Sequence, residues 1–304
     1  MGTQAVRPLT GRVAVVTGGT SGIGLEIARG LARLGATTVI VGRGTERTQR
    51  IATQLATDTG NPSVAAMGVT DLALLSDTRR AADLLRNAYP KIHILVNNAG
   101  AFFRRREVTA EGHERTFALN VLSPFLLSSL LVTCLADSVP ARIVNVSSAA
   151  HEGREIDFGA LESPGRYGSG FGAYGVSKLE LLLLTREFAR RLVHLGVTVN
   201  AVHPGFVRSG FAKNNGGGTA AMVGFFALLF GRSAKRGADT PIFVASDPSF
   251  ASITGEYVSD RKILPGSAQS QDLETARRLF ETCRDITGAP EIPPTPVVVP
   301  AGST

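Results

Sequence analysis

Tyr174 and Lys178 are spaced to carry out proton chemistry together. They bound the run Tyr174-Gly175-Val176-Ser177-Lys178, which opens a predicted helix, and residues four apart share one face of a helix. An ammonium close to a phenol favours the phenolate and lowers the pKa of the tyrosine toward neutrality. Such a pair can exchange a proton with a carbonyl or alcohol oxygen near pH 7. Because the same spacing occurs in ordinary helices, the interpretation depends on other residues.

A glycine-rich turn lies between the first predicted strand and the first predicted helix, with the sequence Thr17-Gly18-Gly19-Thr20-Ser21-Gly22-Ile23-Gly24. Backbone N–H groups at a helix N-terminus bind phosphate when no side chain obstructs them. Gly18 permits the tight turn, Gly22 the close approach of the ligand, and Gly24 the packing of helix on strand. A glycine pattern alone is also typical of a plain strand-to-helix turn. Its position after the first strand favours a dinucleotide site.

The end of the second predicted strand tests which dinucleotide binds. An acidic residue there would accept a hydrogen bond from a ribose 2′-hydroxyl and indicate NAD(H). The sequence instead reads Val41-Gly42-Arg43-Gly44. The Arg43 guanidinium can form charge-assisted hydrogen bonds to a 2′-phosphate, so we expect NADP(H) and consider NAD(H) the lesser alternative. A solvated surface arginine is the other interpretation of Arg43.

The elements that must position these residues alternate between strand-like and helix-like segments. This alternation predicts an α/β fold with a Rossmann-type, doubly wound parallel sheet of about seven strands and helices on both faces, in three layers. The apolar runs predict strands at 12–17, 37–41, 63–68, 92–97, 141–147 and 198–202. The helical spacings predict helices at 22–34, 46–55, 72–87, 114–135, 174–195 and 271–287.

The segments follow one another without a linker, which predicts a single domain over residues 1–287. Its cofactor half covers about 10–150 and its catalytic and substrate half about 151–287. Residues 216–232 contain the glycines Gly216–Gly218 and an apolar stretch, so we interpret them as a lid. Residues 288–304 are rich in proline and are predicted to form a flexible tail.

The composition excludes several classes of protein. Apolar residues make up 43% of the chain, which is too much for a disordered protein. Two cysteines and five scattered histidines cannot form a disulfide framework or a zinc cluster, so we expect no metal. The net charge is +7, yet Arg104-Arg105-Arg106 is the only basic run and no aromatic residues are interleaved with it. We therefore expect no nucleic-acid partner.

The chain shows no secretory signal and no apolar run of the length that a membrane-spanning helix needs. We therefore expect a cytoplasmic protein. The longest apolar stretch, 220–230, contains Phe225 and Phe226 and is apolar nearly all round. A helix of that kind must be covered by a substrate, a second subunit or a membrane surface. We interpret Phe225 and Phe226 as substrate-binding residues. The alternatives are that the segment is buried in the core, forms a contact between subunits of an oligomer, or makes peripheral contact with a membrane.

Six motifs together resemble the short-chain dehydrogenase/reductase family over about residues 10–260. They are the glycine-rich turn at 17–24, Asn97-Asn98-Ala99-Gly100, Asn120, Ser147-Ser148, Tyr174-x-x-x-Lys178 and Pro204-Gly205. The stretches Arg142–Ser148, His203-Pro204-Gly205 and Ala276–Phe280 are similar to the retinol dehydrogenase-like branch. The segment between Ser148 and Tyr174 is longer and richer in glycine than the minimal family version, and its His151 is interpreted as a loop residue that could touch the substrate.

The resemblance implies a role for each matching residue. Tyr174 would be the general acid/base, Lys178 would lower its pKa and hold the nicotinamide ribose, and Ser148 would polarise the substrate. Asn120 would hold a water in the proton relay. The cofactor contacts implied, with those inferred above, are Gly18, Thr20, Ser21, Gly22, Ile23, Gly24, Arg43, Asp71, Leu72, Asn98, Ala99, Gly100, Tyr174, Lys178, Pro204, Gly205, Val207 and Ser209.

The family implies an oxidoreductase that interconverts a carbonyl and an alcohol by hydride transfer. With the apolar lid, we expect a lipophilic substrate such as a retinoid-, steroid- or fatty-aldehyde-like compound. Two alternatives stay open: an NADPH-dependent reductase of a double bond, and a non-catalytic NADP(H)-binding sensor or scaffold. A sensor would be expected to have lost Tyr174, Lys178 or Ser148, and all three are present.

Overall fold

The computed structural model describes residues 7–69, 71–162, 167, 170–205 and 233–292. Within this part of the chain, eight strands form one sheet in the order β3-β2-β1-β4-β5-β6-β7-β8. Their bounds are β1 Val13–Thr17, β2 Thr37–Arg43, β3 Val64–Val69, β4 Ile94–Asn97, β5 Ala141–Val146, β6 Val197–His203, β7 Tyr257–Ser259 and β8 Lys262–Leu264. The predicted doubly wound parallel sheet is confirmed.

The sheet has one strand more than the seven expected from the sequence. Strands β1 to β7 pair in parallel, whereas β8 pairs antiparallel with β7. A two-residue turn joins them, in which Asp260 and Arg261 both have a positive φ. Three residues cannot show an alternating pattern, so the sequence carries no clear signal for this strand.

Helices cover both faces of the sheet. Their bounds are α1 Gly22–Arg33, α2 Thr45–Thr59, α3 Leu75–Ala88, α4 Arg115–Phe117, α5 Ser123–Leu130, α6 Val132–Ala136, α7 Phe171–Leu192, α8 Ala234–Gly237, α9 Asp239–Ser246 and α10 Leu273–Thr287. The single helix predicted over 114–135 is instead three helices, with a π-helical turn at Ala118–Leu122 before α5. Pro124 stands in the first turn of α5, where its missing N–H costs least.

Two apolar layers hold the helices on the sheet, and the alternation of strand side chains separates them. In β1, Ala14 and Val16 face the layer that contains α1 and α9, whereas Val15 faces the layer that contains α3, α5, α7 and α10. The long helix α7 carries the run Leu181–Leu184, which is buried. Its position fixes where Tyr174 lies relative to the strand ends.

A row of polar side chains crosses the apolar layer between the sheet and α7. Asn97 and Asn145 are register partners on β4 and β5, and the Asn97 Nδ2 donates to the Asn145 Oδ1 at 2.8 Å. The Asn145 Nδ2 donates in turn to the Thr185 Oγ1 at 2.9 Å. All three residues are buried, so the row links two adjacent strands directly to the helix that carries Tyr174.

The beginning of the predicted tail is part of the packed structure. Ala289 and Ile292 are buried, and the Arg191 Nη1 donates to the Ile292 carbonyl at 2.6 Å. Residues 289–292 are therefore packed against the domain, and residues 293–304 lie outside the described part. Among the described helices, none combines the length and the hydropathy that a membrane crossing requires.

Candidate active site

Tyr174 and Lys178 lie in the first turns of α7, against the carboxyl end of β5. Both side chains are buried, with Tyr174 8% exposed and Lys178 5% exposed. The Lys178 Nζ donates a hydrogen bond to the Val146 carbonyl at 2.9 Å and lies 5.6 Å from the centroid of the Tyr174 ring. The structure thus brings the predicted phenol and ammonium together at the end of a strand.

The pKa of Tyr174 differs in direction from the sequence-based expectation. Burial raises it to about 12, and a hydrogen bond with Ser148 acts against that rise. Burial also lowers the pKa of Lys178 to about 8. Loss of hydration disfavours the charged form of each group, and burial is the larger of the two causes that set the pKa of Tyr174. The phenol is therefore protonated at pH 7.

The two serines at the end of β5 point in different directions, as the alternation of side chains requires. The Ser147 hydroxyl is buried and donates to the Lys178 carbonyl at 3.2 Å. The Ser148 hydroxyl accepts from the Ala150 N–H at 3.2 Å and is hydrogen-bonded with Tyr174. Ser148 is thus the serine placed beside the phenol.

Asn120 lies in the π-helical turn, a local geometry that is frequent at functional sites. It is fully buried, and its Oδ1 accepts from the Ala101 N–H while its Nδ2 donates to the Ala101 carbonyl and the Ser177 hydroxyl. A Cβ at Gly100 would lie 3.1 Å from the Asn120 Oδ1 and 3.4 Å from the Lys178 Nζ. The side chain of Asn120 therefore ties the loop after β4 to α7, close to the ammonium.

The glycine-rich turn packs against the loop that follows β4. The Thr17 Oγ1 accepts hydrogen bonds from the N–H groups of Asn98 and Ala99 at 3.0 Å each, and the Asn98 Nδ2 donates to the Thr17 carbonyl. A Cβ at Gly24 would lie 2.3 Å from the Asn98 Nδ2 and 2.4 Å from the Gly18 carbonyl oxygen. Thr17 was absent from the predicted site residues, although it opens the motif that carries the glycines.

The same turn has an open helix N-terminus that suits a diphosphate. Ser21 precedes α1, and its side chain makes no capping hydrogen bond among the described residues. The first turn of α1 carries no acidic residue, so its free N–H groups and partial positive charge favour an anion. A cavity of about 550 Å³ lies at the ends of β2 and β3 and is lined by Gly44, Thr45, Gly68, Val69 and Arg80.

Arg43 and Gly42 end β2 beside this cavity. Arg43 is exposed. A Cβ at Gly42 would lie 2.2 Å from the Thr20 Cγ2, so Thr20 occupies the space that an acidic side chain at this position would need. Asp71 forms an ion pair with Arg115 at 2.6 Å, and Leu72 is buried next to it. Gly42, Arg43, Asp71 and Leu72 thus follow or end the neighbouring strands β2 and β3.

Two aromatic side chains flank Tyr174, and the sequence did not single them out. The rings of Phe102 and Phe171 lie 6.3 Å and 6.4 Å from the Tyr174 ring, and 6.4 Å from each other. Phe171 is 51% exposed, and the Arg154 guanidinium lies 5.8 Å from its centroid. The spacing of Phe171 and Tyr174 by three residues on one helix was the available signal.

The remaining predicted site residues come from the segment that follows β6. Pro204 and Gly205 follow β6 at the same edge of the sheet, and Gly205 has a φ of 78°. Val207, Ser209, Phe225, Phe226 and the predicted lid at 216–232 lie outside the described residues.

Comparison with known proteins identifies the family. A model of the short chain dehydrogenase family matches residues 12–218. The chain belongs to the short-chain dehydrogenase/reductase family. Retinol dehydrogenase 12 of Mus musculus is 38% identical over 280 residues, which are 92% of this chain and 87% of that protein. This similarity places the chain in the retinol dehydrogenase-like branch, as its motifs suggested.

Solved structures support the same assignment to the short-chain dehydrogenases/reductases. An uncharacterised protein from Mycobacterium paratuberculosis is similar with a TM-score of 0.73 at 28% identity, covering 95% of this chain and 97% of that one. An RhlG/NADP active-site complex from Pseudomonas aeruginosa is similar with a TM-score of 0.67 at 30% identity, covering 85% of this chain and 98% of that one. The chain is thus an oxidoreductase of this family with a Rossmann nucleotide-binding fold.

Proposed function

We propose that this protein is an NADP(H)-dependent oxidoreductase that interconverts a carbonyl and an alcohol on a lipophilic substrate. The observation that carries the proposal is the convergence of Tyr174, Ser148 and Lys178 at the carboxyl end of β5. The Tyr174 phenol is hydrogen-bonded with the Ser148 hydroxyl, and the Lys178 Nζ lies 5.6 Å from the phenol ring. A proton donor and a second hydroxyl then face one substrate oxygen, and a buried ammonium lies beside the proton donor.

Each of these residues has a separate task in the proposed reaction. Tyr174 is protonated at pH 7 and donates its proton to the substrate oxygen during carbonyl reduction. Ser148 donates a hydrogen bond to the same oxygen and so stabilises the charge that develops there. Lys178 stabilises the phenolate that remains on Tyr174. In alcohol oxidation the same groups act in reverse, with the deprotonated form of Tyr174, stabilised by Lys178, accepting the proton.

The cofactor would be held by the edge of the sheet described above. The open N-terminus of α1 would hold the diphosphate, Asn98-Ala99-Gly100 would line the nicotinamide half, and Lys178 would hold its ribose. NADP(H), when bound, supplies or accepts the hydride. The crowding of Gly42 by Thr20 disfavours an acidic residue there, and the exposed Arg43 can pair with a 2′-phosphate, so both observations support NADP(H) over NAD(H).

The lipophilic character of the substrate is supported by the aromatic rings around the phenol. Phe102 and Phe171 present apolar surface within 6.4 Å of the Tyr174 ring, which favours a substrate that buries apolar area beside the reacting oxygen. The relative named retinol dehydrogenase 12 agrees with this class. It stays a prediction that Phe225 and Phe226 contribute to substrate binding. Contact of the protein with a membrane surface and its self-association stay predictions as well.

A panel of carbonyl and alcohol substrates tests the proposal directly. We expect the purified protein to reduce long-chain apolar aldehydes with NADPH faster than short polar ones, with the alcohol as product by mass spectrometry. A product saturated at a carbon–carbon double bond, with the carbonyl intact, would instead support the double-bond reductase. NADPH binding without any turnover would support the sensor or scaffold.

A further inference from the structure

His151 is the buried residue that joins the turn after Ser148 to the C-terminal part of the sheet. It ends the short 3₁₀ turn Ala149–His151, and its side chain is fully buried. The sequence suggested a loop histidine that could touch the substrate, but both ring nitrogens are engaged within the protein. Its ring also packs edge-on against the Tyr257 ring on β7, with centroids 5.0 Å apart.

The partners of His151 define its tautomer. The Ser267 N–H donates to the Nε2 at 3.2 Å, so this nitrogen is an acceptor and carries no proton. The Nδ1 lies 2.7 Å from the Ser148 carbonyl oxygen, which can only accept. The Nδ1 therefore carries the proton and donates it to Ser148.

The position of the Ser148 hydroxyl depends on this turn. The turn packs tightly on α7, because a Cβ at Gly175 would lie 2.6 Å from the Ala150 carbonyl oxygen. The Ser148 hydroxyl accepts from the Ala150 N–H within the turn and is hydrogen-bonded with Tyr174 outside it. The carbonyl of Ser148 is thus held by His151, while its hydroxyl faces the phenol.

We propose that His151 is a positioning residue, whose neutral Nδ1–H tautomer fixes the Ser148 backbone and so aims the Ser148 hydroxyl at the substrate oxygen. This inference rests on the proposed function, since it assigns Ser148 a part in that reaction. His151 itself touches no reacting atom. It acts by fixing the geometry of a group that does, and displacement of such a group by ~1 Å can cost about 10²-fold in rate.

Two amide substitutions separate the two hydrogen bonds. In His151→Asn the amide nitrogen can occupy the position of the Nδ1 and still donate to the Ser148 carbonyl. In His151→Gln the amide reaches toward the Nε2 position, and the donor to Ser148 is lost. His93→Asn is the matched control. Like His151, His93 accepts a backbone N–H on one ring nitrogen: its Nδ1 accepts from Val13 at 3.1 Å, at the opposite edge of the sheet.

The decisive measurement is kcat for the best substrate of the panel, together with the Kd for NADPH and the Tm of each variant. We expect His151→Gln to lower kcat by about 10- to 100-fold with the Kd for NADPH unchanged. His151→Asn should recover most of that loss even if its Tm is as low as that of His151→Gln. His93→Asn should leave kcat at the wild-type value.

A second readout needs no turnover. In protein labelled with ¹⁵N-histidine, long-range ¹H–¹⁵N correlation should show His151 as the Nδ1–H tautomer, assigned by the loss of its signals in His151→Asn. An Nε2–H tautomer overturns the inference, and so does equal kcat in the Asn and Gln variants of an active enzyme. These two results leave the proposed function intact, whereas a wild-type protein that turns over no substrate removes both.

Discussion

The Nζ of Lys178 lies 5.6 Å from the centroid of the Tyr174 ring and donates its hydrogen bond to the Val146 carbonyl rather than to the phenol. The ammonium thus acts on Tyr174 through space, from a position held by the end of β5. Since both groups are buried, the charge of Lys178 is weakly screened by solvent. The pair is therefore arranged for charge stabilisation of a phenolate, and in the proposed reaction the proton transfer falls to Tyr174.

Removal of the Tyr174 hydroxyl should abolish turnover and spare cofactor binding. Proton transfer by a positioned side chain contributes ~10²–10⁴-fold to the rate, so we expect Tyr174→Phe to lose activity by a factor in that range. Fluorescence titration with NADPH should give a wild-type Kd. Near wild-type turnover by Tyr174→Phe would show that another group donates the proton.

Replacement of Lys178 should change how stability depends on pH. Burial lowers the pKa of Lys178 in the folded protein to about 8, below its ordinary value of 10.5. Between these two values the unfolded chain binds more protons than the folded one, so the free energy of unfolding of wild type rises with pH in this window. Below about pH 8 the slope from this group is zero.

Lys178→Met has no such group, so its stability relative to wild type should fall by up to about 3 kcal/mol as the pH rises from 8 to 10.5. Urea unfolding at several pH values measures the difference. The same substitution at the exposed Lys91 is the control. A constant difference between Lys178→Met and wild type across this window would contradict the burial of a charged lysine.

The cofactor preference should depend on Arg43. Hydrogen bonds to charged groups contribute about 1.5–3 kcal/mol, so wild type should bind NADPH roughly ten- to hundred-fold more tightly than NADH, and Arg43→Ala should remove most of that preference. Gly42→Asp alone should weaken binding of both cofactors, because its Cβ would lie 2.2 Å from the Thr20 Cγ2. Gly42→Asp with Thr20→Gly should favour NADH. Tighter binding of NADH by wild type would refute the assignment.

Gly24 should tolerate no side chain. A Cβ there would lie 2.3 Å from the Asn98 Nδ2 and 2.4 Å from the Gly18 carbonyl oxygen, so Gly24→Ala must displace the glycine-rich turn. We expect a loss of about 1–3 kcal/mol in stability and a loss of NADPH binding by calorimetry. Gly172→Ala is the matched control, because among the described residues no atom beyond its chain neighbours and its own helix backbone lies within 4 Å of its Cβ position in α7. It should bind NADPH as wild type does.

Phe171 should contribute to the selection of apolar substrates. Burial of a phenylalanine side chain contributes about 1.5–3 kcal/mol, so Phe171→Ala should lower kcat/KM for long-chain aldehydes by roughly tenfold or more. Short polar aldehydes should be affected little. Leu273→Ala removes a similarly exposed apolar side chain, 58% against 51% exposed, on another helix, and should change neither. An equal loss for short and long substrates would exclude a role for Phe171 in selection.

The sequence predicts those features of the fold and the site that depend on local patterns of residues. Buried strands are short apolar runs, and polar residues that follow them, such as Asn98 and Ser148, fall at one edge because parallel strands end there. The Tyr174 and Lys178 spacing is local in the same sense. These patterns were sufficient to predict the doubly wound sheet and the family.

What the sequence does not show depends on contacts between distant segments. His151 looks like a loop residue until Ser267, which is distant in the sequence, supplies its second hydrogen bond. The pKa of Tyr174 follows from the burial that the whole fold creates. The hydrogen bonds of the Asn120 side chain, in the π-helical turn, reach Ala101 and Ser177, which belong to other segments of the chain. The aromatic neighbour Phe102 comes from a loop 72 positions before Tyr174.

The hydrogen-bonded row formed by Asn97, Asn145 and Thr185 has a consequence for the precision of catalysis. The Leu181–Leu184 run on α7 makes apolar contacts, which have no directional preference and do not by themselves define how far the helix lies along the sheet. The smallest shift that keeps the same face of the helix on the sheet is a slip of one turn, ~5.4 Å. Such a slip would leave the Asn145 amide without its partner inside the protein, at a cost of about 1–3 kcal/mol. The three polar side chains thus fix the position of α7 along the sheet more sharply than its apolar contacts do, and they keep the Tyr174 phenol in register with the strand ends.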